Sequence, residues 1–455
     1  MKFQLQRSTS YTLNAVILGF VVFGILALLN FMGTRHYKRF DFTQQKLFSL
    51  APQSIKVVKA LKDEVTVTGF FQAKEKAQFD DLLNKYTYYS DKVKVKFVDP
   101  DKDVQIAKAY NVKKYQTMIV EKSKRESRFE GLSEEKLTNA IIKVGKEKTP
   151  IIYFTKGHGE KEIKDTDREG YSLVQNQLKE SGYEVKDLLL LEVNEIPKDA
   201  TGVVIPGPQK PFLPKEADLI LAYLKKGGRA IILLDPESKK IGLDPVLASV
   251  GITAQEDLII DPVATLFGQG AATPVISTYS GHDIVKEQKI ASFYPMARSL
   301  TIAPTLPNKN IKVESIGKTS TNSWGEVGSV KSGKVKFDEG QDHKGPLNLA
   351  VAAWGNWDGS SKKEDEMRLV VMGDSDFANN RSFEFAGNGN LFLNSIAWMI
   401  ADETAISIRP NQASQGRLML TPWQVRTIFI VTIILIPLIV LGSGTVVWTL
   451  RRRVA

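Results

Sequence analysis

Both ends of the chain are apolar, and the stretch between them is finely patterned. No charged side chain stands between Arg7 and Arg35, and the run Leu13–Met32 (LNAVILGFVVFGILALLNFM) matches the ~20 residues that cross a hydrocarbon core about 30 Å thick. A cleaved signal peptide would carry a shorter apolar region ending in a small-x-small site; Gly33-Thr34-Arg35-His36-Tyr37 follows instead, which favours an uncleaved anchor. Charge is absent again from Thr427 to Leu450. Pro437 is tolerable in a bilayer helix, and Trp423 and Trp448 stand where interfacial aromatics belong. Arg451-Arg452-Arg453 follows, and the positive-inside bias assigns that cluster to the cytoplasm.

These features predict a bacterial inner-membrane protein with transmembrane helices at 13–33 and 427–450. Both termini (1–12 and 451–455) are expected in the cytoplasm, and the bulk of the chain on the periplasmic, extracytoplasmic side. Within that bulk, Val65–Phe71 reads as a strand, Phe79–Tyr89 as a helix and Val93–Val98 (VKVKFV) as an alternating strand. Asp103–Tyr110 reads as a short helix, Thr117–Val120 as a strand and Ser133–Val144 as a helix. Over 34–148 this order looks like a thioredoxin fold without its chemistry. Phe71-Gln72-Ala73-Lys74-Glu75 stands where the redox cysteines would follow the first central strand, and Gln116 where a cis-proline is usual. The domain is expected to be a scaffold or binding module.

From Thr149 to Pro410 a second α/β series appears. Ile151–Thr155, Gly202–Ile205, Ala230–Leu234 and Arg368–Met372 are apolar runs of the kind buried on both faces of a parallel sheet. Helices are expected at Ser172–Ser181, Lys215–Lys225 and Leu391–Ile400. The expected fold is flavodoxin/amidotransferase-like α/β, with an irregular insertion or lid at about 262–347 and a linker at 411–426. Each apolar run ends in turn chemistry, at Gly157-His158-Gly159, Pro206-Gly207-Pro208, Asp235-Pro236 and Gly373-Asp374-Ser375-Asp376. Ligands of open α/β sheets sit at the carboxyl ends of strands, so these loops are where a site is sought.

Composition narrows the chemistry. The net charge is +10, but acids and bases interleave, as in Glu121-Lys122-Ser123-Lys124-Arg125-Glu126, and no nucleic-acid-binding motif accompanies the excess. The absence of cysteine excludes disulfides, thiolate zinc sites, cysteine nucleophiles and a lipidated N-terminal cysteine, and only four histidines occur. No Gly-x-Ser-x-Gly elbow is present. Gly328-Ser329-Val330-Lys331-Ser332-Gly333-Lys334-Val335 has the glycine and lysine spacing of a phosphate loop, but Val335 lacks the hydroxyl that binds Mg²⁺.

The candidate binding residues are His158, Glu160, Asp235, Asp374 and Asp376, with no catalytic set, metal site or cofactor assigned. His158 and Glu160, two apart between glycines, suit acid–base work, ligand recognition or simple capping of the turn. Asp374 and Asp376 could share a divalent cation or accept backbone amides of their own turn. Asp235, before Pro236, reads as a turn cap. His282 with Asp283, and His343 after Asp342, read as surface or lid residues.

A series of segments in fixed order carries a family resemblance. It runs from RFDFTQQKLFSL (39–50) through YFTKGHGE (153–160), VVIPGPQKPFLPKEADLILAYLKKGGRAIILLDP, Asp261-Pro262, SGHDI (280–284) and FYPMARSL (293–300). It continues to GDSDFANN (373–380), GNLFLNSIAWMIADE (389–403) and ISIRP (406–410). Together these resemble the auxiliary component of gliding-motility-type ABC transporters, the GldG family. The resemblance implies a non-ATPase subunit working beside a multi-span ABC permease and a cytoplasmic ATPase subunit. On the leading reading the outer domains bind an envelope polymer or protein, the anchors sit in membrane lipid and dock the permease, and no nucleic acid is a partner. The rival reading is an envelope enzyme, a carbohydrate-active or metal-dependent hydrolase using His158, Glu160, Asp374 and Asp376; a third is a structural tether.

Overall fold

The computed structural model describes residues 17–28, 49–146, 148–238, 240–276, 278–328, 335–402, 429–438, 442 and 444. Only parts of the two expected spans fall within them: 17–28 is helical with exposed apolar side chains, and 429–438 is helical around a π-helical stretch, Ile430–Leu435. Among the described residues no helix is long and apolar enough to cross a membrane. The tails 1–12 and 451–455, the linker 411–426 and positions 329–334 of the phosphate-loop near-miss lie outside them. By contacts the chain divides into Met1–Arg409 and Pro410–Ala455, and both expected α/β domains belong to the first unit.

The first domain opens with helix α1 (Pro52–Lys59), followed by β1 (Val65–Phe70), α2 (Lys76–Tyr89), β2 (Val93–Val98), α3 (Val104–Ala109), β3 (Thr117–Lys122), β4 (Arg125–Glu130) and α4 (Glu134–Gly145). Its sheet runs β2-β1-β3-β4, with β1 parallel to β2 and the rest antiparallel. The β3–β4 hairpin turns at Ser123, whose φ is +56°. α4 starts cleanly because Ser133 accepts the Lys136 amide, Glu134 and Glu135 sit in the first turn, and Lys143 lies in the last, each matched to the helix dipole. Gln116 does not form a cis bond. It takes a left-handed φ of +58°, and its amide donates to Glu75 Oε1 at 2.5 Å, while Tyr115 donates to Asp101 at 2.6 Å. These two bonds tie together the loops that flank the place where redox cysteines were sought.

The second domain comprises β5 (Ile151–Thr155), α5 (Ser172–Glu180), β6 (Glu184–Leu188), β7 (Ala200–Pro206), α6 (Pro214–Lys225), β8 (Arg229–Leu233) and α7 (Asp244–Ser249). Short strands β9 (Ile252–Ala254), β10 (Leu258–Ile260), β11 (Val275–Ile276), β12 (Ser292–Phe293) and β13 (Leu300–Ile302) follow. The chain then forms β14 (Ile311–Lys318), β15 (Trp324–Glu326), β16 (His343–Lys344), β17 (Asn348–Gly355), β18 (Met367–Met372) and α8 (Asn388–Met399). Five parallel strands lie side by side as β6-β5-β7-β8-β18, the doubly wound order 2-1-3-4-5, whose direction reverses between β5 and β7. β17 adds antiparallel to β18, and β14 to β17.

Alternation along the central strands supplies both faces of this sheet. Ile152, Phe154, Val204, Ile231, Leu233 and Val370 pack with α5 and α8, whereas Val203, Ile205, Ile232 and Val371 pack with α6 and α7. One expectation needs correction. β14, inside the stretch expected as a lid, belongs to the main sheet, and its register shifts between Ser315 and Lys318 break the period-2 pattern that would have revealed it.

The two domains meet where the second domain's chain leaves α8. Lys146 forms an ion pair with Asp402 at 3.2 Å, donates to the Ser181 carbonyl at 3.0 Å and lies 3.5 Å over the Tyr183 ring, while Tyr183 donates to Asp402 at 3.2 Å.

Packing in the first domain is tight enough to test. A Cβ at Gly69 would stand 2.1 Å from the Phe79 ring, which contacts Phe71 and Phe97 at ring separations of 5.5 and 5.4 Å. Gly69→Ala is therefore expected to cost about 1–3 kcal/mol by overpacking. Gly145→Ala, with open space around it at the end of a helix, should be neutral or slightly stabilising. Urea unfolding of the two variants, followed by circular dichroism, checks the contrast.

Candidate functional site

The loops after β5, β7, β8 and β18 converge at the carboxyl edge of the sheet, but the five candidate residues divide into two clusters. After β5 the backbone reverses through Gly157 at φ +113°, a conformation that suits glycine. This aims His158 inward, where it is buried and stacked on Phe212 at 4.1 Å. Its Nε2 lies 3.0 Å from Glu216 Oε2, and its Nδ1 faces Glu160 Oε1 at 3.6 Å. Glu160 Oε2 accepts the His158 amide at 2.6 Å, and Glu216 Oε2 accepts the Leu213 amide at 2.8 Å at the start of α6. The His158 carbonyl accepts the amides of Gln209 and Lys210, both at 2.8 Å. His158 thus lies between two buried carboxylates and ties the loop after β5 to the loop after β7. His158 Nδ1, Glu160 Oε1 and Glu216 Oε1 keep no hydrogen-bond partner among the described residues.

The second cluster brings Asp235, Asp374 and Asp376 together. Asp235 accepts the Ser375 amide at 2.7 Å, the Ser375 hydroxyl at 2.8 Å and Gln209 Nε2 at 3.1 Å. Asp374 Oδ1 accepts the Asp376 amide at 2.8 Å, closing its own turn, while its buried Oδ2 has no partner among the described residues. Asp376 Oδ1 receives the Lys161 ammonium at 2.5 Å and Asn379 at 3.2 Å. Gln209 joins the clusters, since its amide meets His158 and its side chain meets Asp235 and Ser238. Gly207 is required beside it, because a Cβ there would stand 2.3 Å from Ser375 Oγ.

Burial dominates the electrostatics. It raises Asp374 well above the usual carboxylate range, and the charges of Asp235 and Asp376 add to it. Burial raises Asp235 as well, against hydrogen bonds from Ser375. Lys161 is lowered by burial, but Asp376, Asp235 and Glu169 outweigh that and hold it above its ordinary value. Beside Asp376 opens a cleft of about 230 Å³ lined by Glu169, Asn379, Arg381, Phe293 and Phe385 among others. The nearby carboxylates are engaged with amides and Lys161, and among the described residues no group of three or more His, Asp or Glu is arranged to hold a metal ion.

His282 differs from the expectation of a surface residue, whereas the His343 side chain stays 41% exposed. His282 is buried between Trp354 and Trp398, at ring separations of 5.3 and 4.9 Å, and burial pushes it down to about 4 despite the opposing charge of Asp283. His343 bonds not to its neighbour Asp342 but to buried Asp257 at 2.7 Å, which also accepts the Ser299 hydroxyl at 2.6 Å. Sequence reasoning missed Glu216, Phe212, Lys161 and Gln209. Glu216 left one signal, its third-position place in a proline-opened helix, which reads as a cap.

A profile for a family described as an ABC-type uncharacterized transport system matches residues 149–395, spanning the sheet and both clusters. The chain belongs to this family. It is thus an auxiliary component of an ABC-type transport system. A second profile, of a domain of unknown function, matches residues 44–134. Comparison with curated proteins gives no match. Among solved structures, the N-terminal domain of mmIFT52 aligns over 55% of this chain and 97% of its own at 16% identity, with a TM-score of 0.40. A ThuA-like protein from Bacteroides uniformis aligns over 56% and 93% at 12% identity, TM-score 0.32. The N-terminal domain of alkylhydroperoxide reductase AhpF from Enterococcus faecalis aligns over 30% and 76% at 15% identity, TM-score 0.20.

Two variants probe the clusters. His158→Ala removes the Phe212 stack and the Glu216 hydrogen bond, so a loss of about 1–3 kcal/mol is expected in urea unfolding. A loss under about 1 kcal/mol would show that the fold does not need this imidazole. At Asp374, the folded protein keeps a proton that the unfolded chain releases near 3.8, so this group's stabilisation is full below that pH and falls as pH rises toward the folded value. Asp374→Asn has no such proton to lose. Its melting temperature relative to the wild type should climb between pH 4 and pH 8, as read by parallel thermal scans.

Proposed function

We propose that the chain is a non-ATPase auxiliary subunit of the gliding-motility (GldG) type, anchored in the bacterial inner membrane by 13–33 and 427–450. Both termini would lie in the cytoplasm and the two α/β domains outside it. The observation that carries this reading is the family match across 149–395. The order β2-β1-β3-β4 supports a thioredoxin-like first domain used as a scaffold, and the 2-1-3-4-5 order supports a flavodoxin/amidotransferase-like second domain. The spans dock a multi-span permease whose partner is a cytoplasmic ATPase, and the outer domains bind an envelope component. Asn14, Gly19, Gly24 and Asn30 in the first span, and Gly442, Ser443 and Gly444 in the second, support docking, because small residues let helices approach and polar ones bond across them in lipid.

The strand-end geometry favours recognition over hydrolysis. His158 is committed to Glu216 and Phe212, and Asp376 to Lys161, so neither is presented as a free base. Detergent-solubilised chain is expected to copurify with its permease and ATPase. Replacing both spans with polyleucine of equal length should leave the chain folded and membrane-attached but strip the permease away. A permease that copurifies undiminished would move the contact to the outer domains, and no copurification with the wild type would defeat the subunit reading.

A further inference from the structure

The cleft beside Asp376 measures about 230 Å³, and the auxiliary role leaves its occupant unnamed. Its walls come from four places in the second domain: Glu169 before α5, Gln269 and Thr273 between β10 and β11, Phe293 on β12, and the segment from Asp376 to Asn388 that leads from β18 into α8. Buried amides hold these walls in place before any ligand arrives. Asn388 accepts the Phe293 amide at 2.8 Å and donates to the Phe293 and Phe377 carbonyls, both at 3.0 Å. Asn379 accepts the Arg381 and Ser382 amides at 3.1 and 3.0 Å and donates to Glu169 at 2.9 Å. A cleft fixed in this way has little ordering left to lose when it fills.

The groups turned to the opening are acceptors and donors in balance. Asp376 Oδ1 takes Lys161 and Asn379, and Glu169 Oε2 takes Asn379 and faces Lys161 at 3.6 Å. The second oxygen of each carboxylate, Asp376 Oδ2 and Glu169 Oε1, has no partner among the described residues. The side chains of Arg381, Gln269, Thr273 and Ser382 also form no hydrogen bond or ion pair among the described residues. Glu169 and Asp376 are matched by Lys161 and Arg381, so the charge closes to zero and favours neither a phosphate nor an ammonium ligand. One side is apolar: Phe293 meets Phe385 edge-on at 4.9 Å and Phe267 at 5.8 Å, and those two rings stay 45% and 47% exposed.

This lining discriminates among neutral ligands. The wall amides of Asn380, Arg381 and Gly387 already bond the carbonyls of Gly170, Arg168 and Ala291, so they offer no ladder to a peptide backbone. What remains open is side-chain hydrogen bonding beside an exposed ring. A hydroxyl both gives and takes a hydrogen, so neighbouring hydroxyls match free carboxylate oxygens set beside a guanidinium. The C–H face of a pyranose, weakly positive at its hydrogens, matches the electron-rich face of a phenylalanine. We propose that the cleft binds a neutral sugar residue, with Asp376, Glu169, Arg381 and Ser382 taking its hydroxyls and Phe385 covering its C–H face. The proposal rests on the reading of the outer domains as binding an envelope component, and it gives that component a class, a glycan.

The test uses the full chain in a polyoxyethylene ether detergent, which itself carries no sugar. Isothermal titration calorimetry follows neutral oligosaccharides of glucose, mannose, galactose and N-acetylglucosamine and, in parallel, an uncharged hexapeptide of alanine and serine blocked at both ends. Saturable binding of at least one oligosaccharide below about 10 mM is expected. Arg381→Gln and Phe385→Ala, both at exposed side chains, should each weaken it roughly tenfold while leaving thermal unfolding unchanged. Lys74→Gln in the first domain should leave the affinity as it was. Binding by none of the four sugars, undiminished binding in either cleft variant, or tighter binding of the hexapeptide overturns the proposal. Copurification with the permease reads the subunit role separately, so a chain that keeps its permease and binds no sugar loses the glycan alone.

Discussion

The pairing of β8 with β18 is the contact on which the second domain depends. The strands run in parallel register from Arg229↔Arg368 to Leu233↔Met372, although the chain between them makes a long excursion through ten other strands or helices. Closing a loop of that length costs entropy before any contact repays it. The return comes from both faces at once, because β18 delivers Val370 and Met372 to one apolar cluster and Leu369 and Val371 to the other. Asp235 fastens the carboxyl end of the joint through the Ser375 amide and hydroxyl, and Arg298 reaches in to the carbonyls of Gln255, Asp235 and Ser238.

That arrangement explains why polar residues at the strand ends are so heavily engaged with one another. A parallel sheet is assembled from segments distant in sequence, and its loops need cross-links that the backbone ladder does not supply. His158 with Glu160 and Glu216, and Asp235 with Ser375, are such links. They also leave buried atoms without hydrogen-bond partners among the described residues, Asp374 Oδ2 and His158 Nδ1 among them, and each carries an electrostatic cost.

The central strands β5, β7, β8 and β18 were legible because burial on both faces leaves an uninterrupted apolar run. Two edge strands were not, although β2, also at an edge, was legible from its alternation. β6 (EVKDL) and β4 (RESRFE) face solvent along one side and carry the charge that protects an edge, so they lack any apolar signature. β14 was hidden by its irregular register. In the site, each aspartate was recognisable as a turn residue, yet nothing local indicated that Asp235 and Ser375 would meet or that His343 would find Asp257; such pairings exist only after topology is fixed. Glu216 could be read as a helix cap, but its second bond, to the imidazole of another loop, depends on the crossover that places α6 beside β5.

The Lys146–Asp402 ion pair has a mechanical consequence. Asp402 is the last described residue before the chain runs on toward 427–450, and it is lashed to the first domain as well as to its own. Tension arriving along that segment would load both domains together instead of peeling α8 from the sheet. Both side chains are mostly shielded from water, at 14% and 16% exposure, so salt screens this coupling less than it would an exposed pair. The two domains would then take up such a pull through one shared joint, made by Lys146, Tyr183 and Asp402.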